Sequence, residues 1–180
     1  HRLIRRQRQM CIRDSGKTAQ LIAAGADVTA VDNSKPRLDI LKRNLDRLGM
    51  TADLVRADGR TFRPRKAVDA VLIDAPCSAT GTLRRRPDVL HHRAVADLAG
   101  LAAIQRELLA RAASWLSPGG RLIYATCSLQ HEEGEAVVAD VTGAMKGKLA
   151  IDPVSTAEAG SFAPAVTGDG CLRILPSDFT

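Results

Sequence analysis

The sequence predicts an α/β fold, a doubly wound and mostly parallel sheet, and three observations carry that prediction. Short β-rich runs alternate with helical stretches along the chain. Three of the runs close on or near a carboxylate, at Asp32, Asp58 and Asp74, and two place a cysteine just past their ends, at Cys77 and Cys127. Alternating strand and helix patterns build parallel sheets, and ligands of such sheets bind beyond the carboxyl ends of the strands. Acids and thiols gathered at strand ends form an active-site pattern.

At 180 residues and 45% hydrophobic, the chain reads as one domain able to bury a substantial core. No apolar run approaches the roughly 18 residues of a membrane span, and the sequence shows no basic-then-apolar signal-peptide pattern. A soluble, cytoplasmic monomer without membrane association is the expectation. The four cysteines lie in an α/β pattern without CxxC pairs or clustered histidines, so they read as thiols rather than disulfides or metal ligands. The net charge of +6 comes from arginine, clustered at Arg2 to Arg13, Arg56 to Lys66 and Arg84-Arg85-Arg86, a balance that suits a polyanionic partner or a solvated basic face. Aromatic content of 3% argues against a broad base-stacking platform.

Residues 1 to 15 alternate basic and polar side chains where such a sheet wants an apolar first strand. They read as an atypical segment foreign to the domain, such as a translated adapter, with the first strand missing or altered. Ser15-Gly16-Lys17-Thr18 resembles the end of a P-loop, but that motif needs a glycine where Cys11 stands. From Thr18 a short helix runs to Gly25, and Ala26 to Asp32 is a β-rich run closing on an acid. Ser34 then offers an N-cap, Pro36 suits a first helical turn, and Leu38, Leu41, Leu45 and Leu48 recur at helical spacing until Gly49. Ala52 to Arg56 and Val68 to Ile73 are the next strands.

Arg84-Arg85-Arg86-Pro87 is a basic loop, and Leu98, Leu101, Ile104, Leu108, Leu109 and Trp115 mark the buried face of a helix. Ser117-Pro118-Gly119-Gly120 predicts a sharp turn before a strand from Arg121 to Thr126. His131-Glu132-Glu133-Gly134-Glu135 opens a helix whose acids suit its positive end. After Gly147 a loose stretch leads to the strand-like run Cys171 to Pro176.

Asp32 stands where nucleoside-binding sheets place a ribose-hydroxyl acceptor, and Asp58 where an acid meets an adenine edge; a turn aspartate is the plainer reading of either alone. The motifs Asp74-Ala75-Pro76-Cys77-Ser78, Gly81-Thr82, Arg86-Pro87-Asp88, Tyr124-Ala125-Thr126-Cys127-Ser128 and Glu132-Glu133-Gly134-Glu135 together resemble the Sun/Nop2-type RNA cytosine-5 methyltransferases, most nearly the bacterial branch that acts on small-subunit ribosomal RNA. The resemblance covers the chain from about Gly16 onward. It implies a Rossmann-like class I S-adenosylmethionine-dependent methyltransferase fold, with residues 16–180 as a C-terminally truncated catalytic domain and the last strand missing or altered.

The same resemblance implies S-adenosyl-L-methionine contacts at Gly16, Lys17, Asp32, Asp58 and Asp74, a nucleophile at Cys127 and an assisting thiol at Cys77. Cytosine C5 is a poor nucleophile, and a thiolate adding to C6 turns the ring into an enamine that C5 methylation requires. Asp74 would bond the cytosine N3/N4 edge, and Arg84, Arg85 and Arg86 would contact RNA. A Pro-Cys nucleophile such as DNA methyltransferases use would instead point to Cys77, but the Thr-Cys-Ser motif is the RNA family's own. Cys11 and Cys171 read as small buried hydrophobes.

The chain departs from the family at its cofactor loop, which there reads Cys-Ala-Ala-Pro-Gly-Gly-Lys and here reads Cys11-Ile12-Arg13-Asp14-Ser15-Gly16-Lys17. Bulk and charge replace small residues that let backbone meet ligand. Two other classes are consistent with parts of the chain: a non-catalytic RNA-binding fragment, which charge and the altered loop favour, and a nucleotide-dependent oxidoreductase, which shares Asp32 but needs a GxGxxG turn that is not here.

Overall fold

A computed structural model describes residues 8–12, 15–87 and 98–175. Its elements run β1 (Arg8–Ile12), α1 (Ser15–Ala23), β2 (Asp27–Asp32), α2 (Lys35–Leu48), β3 (Asp53–Arg56), β4 (Val68–Asp74), α3 (Leu98–Ala113), β5 (Leu116–Ala125), α4 (Glu135–Ala144) and α5 (Thr156–Ala159). Short 3-10 turns stand at Thr80–Thr82, His131–Glu133 and Gly160–Ala165. Among the described residues the strands form one sheet in the order β3-β2-β1-β4-β5, every pair parallel. This is the doubly wound order in which the chain reverses direction across the sheet between β1 and β4.

The first strand corrects the sequence reading. Residues 8–12 belong to the segment read as leaving the first strand missing or altered; it is not missing, and β1 is the central strand, with Gln9 to Ile12 in register with Val28 to Val31 on one side and Ala70 to Ile73 on the other. Backbone pairing explains the difference: β2 and β4 each present an inner row of N–H and C=O groups that must be satisfied, and an extended chain does so whatever its side chains. Arg8 and Gln9 make the segment look polar, but Met10-Cys11-Ile12 carries an apolar end. The exposed sheet edge that a missing strand implies is therefore absent, and the edges are β3 and β5. Arg13 and Asp14 lie outside the described residues, as does Asp88.

The chain divides into two compact units. The first runs up to Pro76 and from Ala103 to Thr126; the second comprises Cys77 to Ala102 and the chain from Cys127 onward. In the first unit, Val28, Ala30 and Val31 of β2 and Val71 and Ile73 of β4 are at most 3% exposed. Apolar residues at consecutive and alternate positions are what a parallel strand covered on both faces requires. Helix α2 lays Leu38, Leu41 and Leu45 on Ala30, with Ile22, Met50 and Leu54 packed around them. It ends as its sequence predicts, with Gly49 in the left-handed region at φ 65°. Leu48, at helical spacing with that stripe, is instead 45% exposed.

Helix α3 buries Ala102, Gln105, Leu108, Leu109 and Ala112 rather than the larger side chains at its start. Gln105 donates from Nε2 to the Pro76 carbonyl at 2.7 Å. The turn predicted at residues 117–120 is absorbed into β5 as an irregularity, because Val68 faces Leu116 and Ala70 already faces Arg121. Gly119 takes φ 78° there, which accounts for its glycine. In the second unit, Val137 and Val141 of α4 are buried, and the run at Cys171 forms only a single antiparallel bridge, Val166 to Leu172, with Pro176 outside the described residues.

Candidate active site

In the first unit, each carboxylate expected at a strand end is held by a basic side chain. Asp32 closes β2 and its side chain is 6% exposed; it accepts from Arg37 Nε and Nη2, each at 2.7 Å, and from the Ser34 N–H at 2.7 Å. Ser34 thus occupies the N-cap position of α2 without capping through its own hydroxyl. The hydrogen bond to Asp32 raises the Arg37 pKa above its ordinary value, with burial opposing. Asp58 follows β3 and accepts from the Arg60 N–H at 2.9 Å and from its guanidinium, Nη2 reaching Oδ2 at 2.6 Å. Those side-chain and backbone bonds hold the Asp58 carboxyl below the usual carboxylate range.

Asp74, the last residue of β4, stands 3.3 Å from Lys17 Nζ across the start of α1. Gly16 is exposed in the same first turn. A carboxylate that still has an acceptor position beside a cation is a donor set that fits a nucleoside carrying an amino-acid group. Asp32 accepts three hydrogen bonds from this chain, leaving about one of its four lone-pair positions for a ribose hydroxyl. Lys17 and Asp74 offer opposite charges to a zwitterion.

In the second unit, the loops 77–82 and 127–130 meet. The Cys77 and Cys127 sulfurs lie 3.2 Å apart, across 50 residues of sequence. Cys77 is 1% exposed, whereas Cys127 is exposed. The Gly81 N–H donates to the Cys127 carbonyl at 2.9 Å, and a Cβ at position 81 would stand 2.8 Å from that same oxygen. Ala79 sits at φ 59°, the one non-glycine residue in the left-handed region among those described. Such backbone strain persists only where surrounding bonds over-determine it.

Those bonds come from hydroxyls and one acid. Glu133 is 0% exposed and accepts from the Ser78 N–H at 2.9 Å and from the Ser78 hydroxyl. Ser78 Oγ also lies 3.0 Å from Ser128 Oγ, which is 3.3 Å from Thr80 Oγ1. Arg84, Arg85 and Arg86 follow the turn Thr80–Thr82 and are exposed, the last two anchored through their N–H groups to the Thr82 carbonyl. Cys171 lies elsewhere in this unit, its N–H on Thr167 Oγ1 at 3.1 Å. Burial first, then Glu135 and Asp169, push its thiol pKa up. Among the described residues no group of three or more His, Cys, Asp or Glu is placed to hold a metal ion, and no helix is long and apolar enough to cross a membrane.

Residues 7–178 match the model of the family described as 16S rRNA methyltransferase RsmB/F. The chain belongs to this family. It is 43% identical over 134 residues to ribosomal RNA small subunit methyltransferase B of Salmonella arizonae, covering 72% of this chain and 31% of that protein. It is 44% identical over 135 residues to the protein of the same name from Sodalis glossinidius, with 72% and 31% covered. The crystal structure of NSun6 from Pyrococcus horikoshii with SFG superposes with a TM-score of 0.69 at 32% identity, covering 77% of this chain and 37% of that one. The chain spans about a third of the length of the curated relatives it matches. Its fold is the Rossmann-like one of S-adenosylmethionine-dependent methyltransferases.

Within the RsmB/F frame, the acids and thiols are legible from sequence, but the residues that hold them are not. Arg37 looks like a surface arginine, although it follows Asp32 by five positions on the first turn of α2. Ser78 and Ser128 look like turn residues, although each follows a cysteine directly. Glu133 looks like one of three helix-start acids, and its partner lies 55 residues away.

Proposed function

We propose that this protein transfers a methyl group to C5 of a cytosine in RNA, small-subunit ribosomal RNA being the substrate class, through a covalent bond between Cys127 and C6 of the base. The observation that carries this reading is the 3.2 Å approach of the Cys77 and Cys127 sulfurs, 50 residues apart in sequence. S-adenosyl-L-methionine, when bound, supplies an electrophilic methyl on a sulfonium. Gly16, Lys17, Asp32, Asp58 and Asp74 would hold it; the likeness to a structure with SFG, an analogue of that cofactor, supports the choice of cofactor.

The residues divide the remaining work. The exposed Cys127 presents its thiolate to C6, and adding there raises electron density at C5. Asp74 favours positive charge at N3 as the ring loses aromaticity. Once C5 carries the methyl, a base removes the C5 proton, the electron pair re-forms the C5–C6 double bond, and Cys127 leaves as thiolate. The buried Cys77 stands against that sulfur and assists release. Arg84, Arg85 and Arg86 offer cations to the RNA backbone. Residues 16–180 are, in this reading, the catalytic domain of a longer enzyme, and residues 1–15 a segment altered from the family's sequence.

Incubating the chain with labelled S-adenosylmethionine and small-subunit ribosomal RNA, followed by nucleoside mass spectrometry, tests the proposal. A second protein with residues 11–16 replaced by Cys-Ala-Ala-Pro-Gly-Gly separates the altered loop from the chemistry. 5-Methylcytidine from either supports the reading. Methyl groups on a different atom, or none from both proteins, would sink it.

A further inference from the structure

Glu133 is the most deeply buried charged side chain described, and its hydrogen bonds have a direction. The Ser78 hydroxyl donates to Glu133, so its single proton is committed there. The 3.0 Å contact between Ser78 Oγ and Ser128 Oγ must then be donated by Ser128. With that proton spent, the 3.3 Å contact of Ser128 Oγ with Thr80 Oγ1 is donated by Thr80. Backbone N–H groups fill the acceptor sides: Leu129 donates to Thr80 Oγ1 at 2.9 Å and Gln130 to Ser128 Oγ at 3.1 Å. The contacts Thr80 to Ser128 to Ser78 thus run in one direction, toward Glu133.

We infer that Glu133 is a positioning residue which, through Ser78 and Ser128, sets the spacing of Cys77 and Cys127. This rests on the reading of those two thiols as the reacting pair. Ser78 directly follows Cys77 and Ser128 directly follows Cys127, so the bond between the two hydroxyls ties the two cysteine loops one residue from the sulfurs. Charge-assisted bonds to a buried acceptor are stronger than neutral ones and lose most when the acceptor is changed. Ala79, next to Ser78, stands in the left-handed region. Glutamine in place of Glu133 keeps the size but has one acceptor oxygen for the two Ser78 donors, leaving one of them facing an amide N–H. The polarity of the chain is then broken without a cavity.

The spacing can be read without methyl transfer. Phenylarsine oxide binds two thiols at once, its arsenic bonding both sulfurs while its oxygen leaves as water with their two protons. The chain should bind it tightly, and Cys127→Ser should abolish that binding, which assigns it to the pair. Glu133→Gln and Ser78→Ala, each checked for native circular dichroism, should weaken it about tenfold, the scale of one charge-assisted bond removed, and Ser78→Thr should recover it. If Glu133→Gln does not fold, Ser78→Ala decides, because it keeps the Glu133 bond to the Ser78 N–H. Folded variants that bind the arsenical as the parent does, or a parent that shows no two-thiol binding, overturn the inference. A parent that binds the arsenical, with the expected weakening in the variants, yet forms no 5-methylcytidine upholds the positioning role and counts against the proposed function alone.

Discussion

Arg37 closes both prongs of its guanidinium on Asp32, Nε on Oδ2 and Nη2 on Oδ1, each at 2.7 Å. The carboxylate is nearly inaccessible at 6% while the arginine is 48% exposed, so the cation is what compensates a buried acid. Arg37→Ala should destabilise the chain by about 1 to 3 kcal/mol in a urea melt. Arg37→Lys should recover only part of this, because an ammonium cannot span both oxygens. Equal stability of all three proteins would show the pair to be ornamental.

In a full-length protein carrying the Cys-Ala-Ala-Pro-Gly-Gly loop, Cys127→Ala should abolish methylation and leave no covalent protein–RNA species. Cys77→Ala should still allow attack but slow release, so a labelled adduct accumulates on a denaturing gel. The exposure of Cys127 and the burial of Cys77 favour this assignment. The reverse pattern of adducts would exchange the two roles.

Replacing Arg84, Arg85 and Arg86 together by alanine should weaken RNA binding and flatten its dependence on salt, by about 0.7 in the log–log slope for each phosphate no longer neutralised. S-adenosylmethionine affinity should hardly move. Titrations at several salt concentrations measure both, and an unchanged slope assigns the cluster to solvated surface.

Cys171 should be slow to alkylate in the folded chain. Its thiol pKa is raised, by burial first and by the negative charges of Glu135 and Asp169 next, so at mildly alkaline pH less thiolate is present than at the ordinary value of about 8.5. Unfolding in urea removes both causes and should speed its reaction with iodoacetamide. Peptide mass spectrometry reads the rate at this residue, and equal rates in the two states would contradict the burial argument.

How much of the structure is legible in the sequence depends on how local each signal is. Helix α2 can be read outright, because Pro36, the leucines from 38 to 45 and Gly49 are a self-contained pattern that the fold reproduces. Strands β2 and β4 are equally plain, since a buried parallel strand shows as an apolar run. Strand β1 is not, because its place is set by the two strands that flank it and not by Arg8 and Gln9. At the site, the acids and thiols are found by position at strand ends and by family resemblance. Glu133 is hidden for the opposite reason: a carboxylate among three acids before a helix looks exposed, whereas in the fold it is buried and bonded to Ser78, 55 residues away.

At position 81 the backbone passes so close to Cys127 that a hydrogen atom is all the space between them admits; a methyl would meet the carbonyl oxygen at 2.8 Å, and the obstacle is main chain, which cannot swing aside as a side chain would. A saturation scan of this protein should therefore show a column at position 81 in which only glycine survives, even though Gly81 carries no chemistry. Alanine there should push the Cys127 loop away and cost methylation more than it costs folding. The tolerance map of the protein would thus mark the thiol loop by a residue with no side chain.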